Sequence, residues 1–416
     1  MSQICVIVGA GHAAAQLAPS LRQEGWSGRI VVVGEEDTIP YHRPPLSKAM
    51  LAGEKTLEEI IIRPARVYEK DGIEFLLKTR VTSIDRGNHQ LLLDNGSSLA
   101  YDKLVLATGS RVRRLDLPGV ELPGIHYLRT YHDVEQIRTS IKPGGRAVII
   151  GGGYIGLETA AVLLKLGMAV TVIEIQERLL ARVATPVLSE FITRVHTEEG
   201  VRIICNTGVA GFAGNGLVER VMSTDGQVYA ADLVIIGAGI LPNIELAAAA
   251  GLAINNGIVV DEYCRTSDPD IAAAGDCTFH HNKFYDRWLR LESVQNAADQ
   301  SRTAAATLCG KLIPYDTLPW FWSDQYDVKL QMAGLSQGHD EVITRGDSHR
   351  SRSFAAFYLR NGKVIAVDSV NRPPEFMLGK KLITEKISFD WNKLADENIP
   401  MKELLAGSLS TGRQSR

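Results

Sequence analysis

The residues best placed to do chemistry are two glycine-rich turns, each with an acid behind it. Gly9-Ala10-Gly11-His12-Ala13-Ala14 follows the apolar run Ile4-Cys5-Val6-Ile7-Val8, and Gly151-Gly152-Gly153-Tyr154-Ile155-Gly156 follows Ala147-Val148-Ile149-Ile150. Each opens an alanine- and leucine-rich helical stretch. Each is followed by a second apolar run ending in a carboxylate, Val31-Val32-Val33-Gly34-Glu35 or Val170-Thr171-Val172-Ile173-Glu174. In this pattern the first glycine permits a tight strand-to-helix turn. The second lets backbone approach a pyrophosphate, and the third small residue lets helix and strand pack closely. The helix start offers N–H groups and partial positive charge to the phosphates, and the acid can accept ribose hydroxyls. A lone glycine turn is weak support, since such turns also serve plain packing. Two copies, each with strand, helix, second strand and acid, point to two bound dinucleotides, the requirement for passing electrons between them. Glu35 and Glu174 would repel a 2′-phosphate, so the second site is expected to favour NADH over NADPH. Arg178 is close enough in sequence to soften that preference.

The elements that must position these turns form a duplicated pattern. Lys103-Leu104-Val105-Leu106 reads as a buried strand ending in the small turn Ala107-Thr108-Gly109, and Asp232-Leu233-Val234-Ile235-Ile236 ends likewise in Gly237-Ala238-Gly239 before Pro242-Asn243. Between the first turn and its small-residue partner lie the rigid Pro44-Pro45, a short helix carrying Lys48, strands near 74–77 and 90–93, and the hairpin signal Asp94-Asn95-Gly96. Pro19 lies inside the first helical stretch and should kink or shorten it. Residues 118–123 look like a crossing linker. Ile271-Ala272-Ala273-Ala274-Gly275-Asp276 reads as a strand ending in an acid, with a helix expected over 294–308. From Pro319 the composition changes to Trp320-Phe321-Trp322, alternating strands at 328–333 and 354–359, and the turn Arg360-Asn361-Gly362-Lys363, which suggest an α+β domain. Residues 408–416 read as a frayed tail.

Composition bounds the rest. The chain has 416 residues, 45% of them hydrophobic, enough for two or three domains. A net charge of −3 gives no global pull toward nucleic acid or an anionic membrane. No apolar run approaches the ~20 residues of a membrane span. The immediate entry into a strand leaves no room for a signal peptide, and a cytoplasmic location is expected. The five cysteines, Cys5, Cys205, Cys264, Cys277 and Cys309, are scattered. They include no C-x-x-C pair that could relay electrons and no metal-ligand cluster. Cys5 reads as strand filler, and Cys277 as packing near a bound cofactor.

With these residues in view, the chain resembles the NADH-dependent ferredoxin reductases of bacterial oxygenase systems over essentially its whole length. The matching stretches are Arg43-Pro44-Pro45-Leu46-Ser47-Lys48, 104–109, Gly151 to Glu158, Thr266-Ser267-Asp268-Pro269 with Gly275-Asp276-Cys277, Trp320-Phe321-Trp322-Ser323-Asp324-Gln325-Tyr326, and Val367-Asp368-Ser369-Val370-Asn371-Arg372-Pro373. The last two are more specific than the glycine turns. The resemblance implies an α/β fold with two Rossmann-like dinucleotide-binding domains of the glutathione-reductase-like kind plus a C-terminal α+β domain. Residues 1–112 and 244–318 would form the FAD-binding domain, 113–243 the NADH-binding domain, and 319–416 a domain covering the flavin.

The same resemblance implies FAD contacts at Gly9, Gly11, His12, Ala13, Glu35, Arg43, Lys48, Val81, Ala107, Thr108, Gly109, Arg129, Asp276 and Val294. NADH contacts would fall at Gly151, Gly153, Tyr154, Ile155, Gly156, Glu158, Glu174 and Gly239. Lys48 and Glu158 are expected to meet beside the flavin ring, with Lys48 as a cation favouring the anionic reduced flavin. Tyr154 would gate the nicotinamide and Trp322 would cover the flavin, while Trp320 reads as core. The implied acceptor is an acidic [2Fe-2S] ferredoxin docking on local basic side chains, with Arg63, Arg66, Arg290, Arg302 and Lys329 as candidates. The protein would be a monomer or a homodimer, with no nucleic acid or membrane partner. An NADH oxidase or peroxidase is the main rival, but relatives with peroxide chemistry carry a cysteine where Leu46-Ser47 stands. A rubredoxin reductase and an NADH-sensing flavoprotein are further alternatives.

Overall fold

The computed structural model describes residues 3–387 and 391–404. The expected tail at 408–416 lies outside them. The chain divides into two compact units. One comprises residues 1–43, 55–111 and 240–317, and the other 44–54, 112–239 and 318–416. The double-proline segment with Lys48 thus packs with the second unit.

The first unit is built on a five-stranded parallel sheet in the order Ile271–Ala273, Lys103–Leu106, Ile4–Val8, Arg29–Val33, Ile73–Leu76. Its strands read as continuous apolar runs because both faces are covered. Cys5 and Ile7 point into one core with Leu17, Leu21 and Ala304, and Val6 and Val8 into another with Leu104, Leu106 and Ile271. A three-stranded antiparallel sheet, Val81–Asp85, Gln90–Leu93 and Ser98–Ala100, interrupts the parallel strands. The Asp94-Asn95-Gly96 turn closes its second hairpin.

Of the expected kink or shortening at Pro19, the shortening does not occur: the helix His12–Glu24 runs through it and ends at Gly25 in the left-handed region. A proline inside a helix costs about 3 kcal/mol. Full burial of Leu17 and Leu21 returns roughly 2 kcal/mol each. The Ser301 hydroxyl, on the helix Val294–Leu308, further ties the two helices by donating to the Ala13 carbonyl. Lys48 also differs from expectation. It follows a single 3-10 turn, Pro44–Ser47, instead of sitting in a short helix.

The second unit repeats the scheme. Its parallel sheet runs Arg202–Ile204, Ala169–Ile173, Arg146–Ile150, Leu233–Ile236, Ile125–Tyr127. It too is interrupted by a three-stranded antiparallel sheet, Val209–Ala213, Arg220–Ser223 and Val228–Ala230. The duplication therefore covers whole sheets, with one asymmetry: the fifth strand comes from later in the chain in the first copy and from earlier in the second. The same unit carries a five-stranded antiparallel sheet in the order Trp320–Gln325, Val328–Gly334, Lys363–Val370, Phe354–Arg360, Glu341–Gly346. The helix Pro373–Glu385 packs on it, so the C-terminal region is α+β as expected. No helix among the described residues is long and apolar enough to cross a membrane.

Candidate active site

The first turn is shaped by close backbone packing. Gly9 has φ +110°, and a Cβ there would lie 2.1 Å from the Ala107 carbonyl oxygen, so only glycine fits. The Ala107-Thr108-Gly109 turn beside it is clamped by Asn243. The Asn243 side-chain amide donates to the Thr108 carbonyl at 2.8 Å, and the Thr108 hydroxyl donates to the Asn243 carbonyl at 2.7 Å. Sequence reading noted Asn243 only as the end of a turn. Its side chain matters because the fold folds residue 243 back onto residue 108.

Asp276 accepts the Ser110 hydroxyl at 2.9 Å, and Val294 begins a helix capped by Ser293. Arg43 is held by the Tyr41 hydroxyl and Glu36. Val81 is buried in the core at the start of the strand Val81–Asp85. Glu35 is two-thirds exposed and pairs with Arg80 at 3.2 Å. Lys48 and Arg129, the remaining expected flavin contacts, belong to the second unit.

The second turn has the same skeleton. A Cβ on Gly151 would lie 2.4 Å from the Gly237 carbonyl oxygen, and one on Gly156 would lie 2.3 Å from that of Gly151. Glu174 turns back on the loop itself, accepting the Gly152 N–H at 2.6 Å and the Gln176 N–H at 2.8 Å. The Arg178 guanidinium donates to the Ala184 carbonyl at 2.9 Å and the Ala181 carbonyl at 3.2 Å. The exposed Arg182, passed over in sequence, has its guanidinium within 4 Å of a Cβ built on Gly239.

Both helices that follow the turns begin at glycine, Gly11 and Gly153, with no capping side chain. The helices starting at Tyr131 and Val294, by contrast, are capped by Thr130 and Ser293. A Cβ on Gly11 or Gly153 would meet nothing within 4 Å. Two uncapped helix starts opening onto space fit two pyrophosphates.

The third feature is a buried charge. Glu158, 2% exposed, accepts from Lys48 Nζ at 2.8 Å, from the Ser47 hydroxyl at 2.5 Å and from the Ser323 hydroxyl at 2.6 Å. The segment 44–54 delivers Lys48 and Ser47, the helix Tyr154–Lys165 delivers Glu158, and the strand Trp320–Gln325 delivers Ser323. Three donors, one of them the lysine counter-ion, are what a carboxylate needs to stay charged away from water. The Lys48–Glu158 meeting was what the family resemblance implied, while the serines were not singled out.

Tyr154 stands at the start of that helix. Its hydroxyl lies 2.9 Å from Met332 Sδ and its ring 5.0 Å from Phe321, and burial pushes its ionisation well above the ordinary tyrosine value. Trp322 is half-buried with its ring 5.5 Å from Trp320, which is itself half-buried between Phe376 and the Lys380 ammonium and so is not the core residue expected. Asp368 is a buried carboxyl that sequence reading left without a role. The Tyr358 hydroxyl donates to it at 2.7 Å, and burial raises it from 3.8 to about 7.

All five cysteines are free thiols, and Cys277 packs its sulfur against the Leu106 and Ala274 carbonyls. Of the candidate docking cations, Arg290 pairs with Glu292 and Arg302 with Asp299. Arg66 and Lys329 are exposed. Lys329 belongs to the second unit and the four arginines to the first.

Residues 4–301 match the pyridine nucleotide-disulphide oxidoreductase family and residues 320–405 the reductase C-terminal domain. The chain belongs to this family. It is 47% identical over 409 residues to putidaredoxin reductase CamA of Pseudomonas putida, covering 97% of each chain. It is 44% identical to the 5,5'-dehydrodivanillate O-demethylase ferredoxin reductase subunit of a Sphingobium species, covering 97% of this chain and 98% of that one. Its fold matches the crystal structure of the covalent putidaredoxin reductase–putidaredoxin complex with a TM-score of 0.94 and 46% identity, over 98% of this chain and 99% of that one.

Proposed function

We propose that this protein is an FAD-containing reductase that oxidises NADH and delivers electrons to a [2Fe-2S] ferredoxin of an oxygenase system. The observation that carries this reading is the duplicated, uncapped glycine turn, one copy for each dinucleotide. The chain has no cysteine pair to relay electrons as a dithiol, and bound FAD would supply the conversion between a two-electron hydride and single electrons.

Gly9, Gly11, His12 and Ala13 would hold the flavin's pyrophosphate, Glu35 its ribose, and Arg43, Asp276 and the clamped 107–109 turn the rest of the cofactor. Val81, Arg129 and Val294 would complete its contacts. Gly151, Gly153, Ile155 and Gly156 would hold the NADH phosphates. Glu174 would brace that turn and reject a 2′-phosphate, and Gly239 would let the nucleotide pass. Tyr154 would move aside for the nicotinamide. Lys48, fixed by Glu158, would stabilise negative charge developing beside it, because a desolvated cation acts strongly at short range. Trp322 would shield the reacting ring from water. The ferredoxin would present an acidic face to basic side chains, so its reduction should weaken with salt.

The test is NADH-dependent reduction of a panel of [2Fe-2S] ferredoxins and rubredoxins by the FAD-loaded protein, with oxygen as control acceptor. Ferredoxin reduction far faster than oxygen consumption is expected. Oxygen as the preferred acceptor would replace this reading with an NADH oxidase.

A further inference from the structure

Glu158 stands at one end of a line of hydrogen bonds that leaves the site. Alternation along the strand Trp320–Gln325 turns Ser323 and Gln325 to one buried face and leaves Asp324 exposed. The Ser323 hydroxyl is 2.6 Å from Glu158 Oε1, and Gln325 Nε2 is 3.0 Å from the Ser323 oxygen. His196 Nε2, from the helix Pro186–Glu199, is 2.8 Å from Gln325 Oε1, and the Tyr326 hydroxyl is 3.1 Å from His196 Nδ1. His196, Ser323 and Gln325 are all buried.

The direction of every bond follows from one fact. An ionised carboxylate only accepts, so Ser323 must donate to Glu158. Its oxygen must then accept from the Gln325 amide nitrogen, which turns the Gln325 carbonyl toward His196. His196 must therefore carry its proton on Nε2 and accept from Tyr326 on Nδ1. Burial, which lowers the His196 ionisation, keeps the imidazole neutral as this requires. Four donors thus share one orientation, each aimed toward Glu158, and such aligned bonds polarise one another. The amide of Gln325 makes the line a poor proton conductor. Its effect is to hold the carboxylate charged and fixed, and through it Lys48.

We infer that Ser323, Gln325, His196 and Tyr326 are positioning residues for the Lys48–Glu158 pair, setting how strongly Lys48 favours reduction of the ring beside it. This rests on the proposed reading that Lys48 serves a flavin. The experiment compares FAD-loaded Gln325→Met, His196→Phe, His196→Gln and Lys48→Met proteins with the native one. The readouts are flavin midpoint potential, rate of flavin reduction at saturating NADH, NADH dissociation constant and melting temperature.

Gln325→Met should shift the potential negative and slow reduction roughly tenfold, with NADH binding unchanged. His196→Phe should act in the same direction. His196→Gln, whose amide N–H can replace the Nε2–H, should recover most of the rate and potential. Native rates and potentials in Gln325→Met and His196→Phe, beside a slow Lys48→Met protein, would overturn the inference, as would a lowered melting temperature with an unshifted potential. A native-like Lys48→Met protein would instead overturn the site reading beneath it.

Discussion

The two glycine turns share a skeleton and differ in what surrounds it. In the unit of the Gly9 turn, the other expected flavin contacts are fixed by neighbours: the 107–109 turn by the Asn243–Thr108 clamp, Asp276 by Ser110, and Arg43 by Glu36 and Tyr41. The turn's acid, Glu35, faces solvent beside Arg80. At Gly151 the acid does the fixing. Glu174 bonds the turn's own Gly152 amide, so the loop keeps its shape through its own hydrogen bonds. A cofactor that stays bound gains from many fixed contacts, whereas a substrate that must come and go gains from a preorganised but open loop. The same motif can thus serve as a holder or as a landing site, and the neighbours decide which.

The sharpest way to break this comparison is to damage both turns equally. Gly9→Ala and Gly151→Ala would each press a methyl into a backbone carbonyl, at 2.1 and 2.4 Å. Gly9→Ala should give protein that retains little flavin, read from absorbance per chain. Gly151→Ala should retain flavin and lose roughly hundredfold in kcat/KM for NADH. Flavin loss from both would erase the distinction.

A milder test separates the acids. Glu174→Ala removes a charged acceptor from a backbone N–H, worth about 1.5–3 kcal/mol, so KM for NADH should rise roughly tenfold or more with kcat little changed. Glu35→Ala breaks an exposed pair worth less than about 1 kcal/mol to the fold. Its melting temperature should hold, with only a modest weakening of FAD binding in a titration of apoprotein. An equal rise in KM for NADH in both variants would contradict the assignment.

The smallest effect concerns pH and belongs to the second unit. Asp368 is raised to about 7 by burial, so the fold favours its neutral form. Its contribution is greatest below the ordinary carboxylate range and is lost as pH rises toward 7. Asp368→Asn, which keeps an acceptor for Tyr358, should flatten the fall in melting temperature over that interval.

Much of this was legible in the sequence because it is local. Glycine spacing, the apolar runs and the strand-ending acids are short-range patterns, and the helix expected over 294–308 forms as Val294–Leu308. Pro19 does not shorten its helix because its cost is local while the burial that offsets it is tertiary. The interrupting antiparallel sheets were half seen, since strands such as Val209–Ala213 mix glycine and alanine and lack a strong period.

The sequence by itself determined that there are two dinucleotide turns and that no C-x-x-C pair accompanies them, while the meeting of Lys48 and Glu158 was implied only by the family resemblance. The tertiary structure decided which groups those charges meet. It set Ser47 and Ser323 on Glu158, Asn243 on Thr108, Glu174 on its own loop, and His196 within a line reaching back to Glu158. The reason is physical. A backbone turn is written in neighbouring residues, but a buried carboxylate is satisfied by donors more than a hundred positions away along the chain, and only packing brings them within hydrogen-bonding reach.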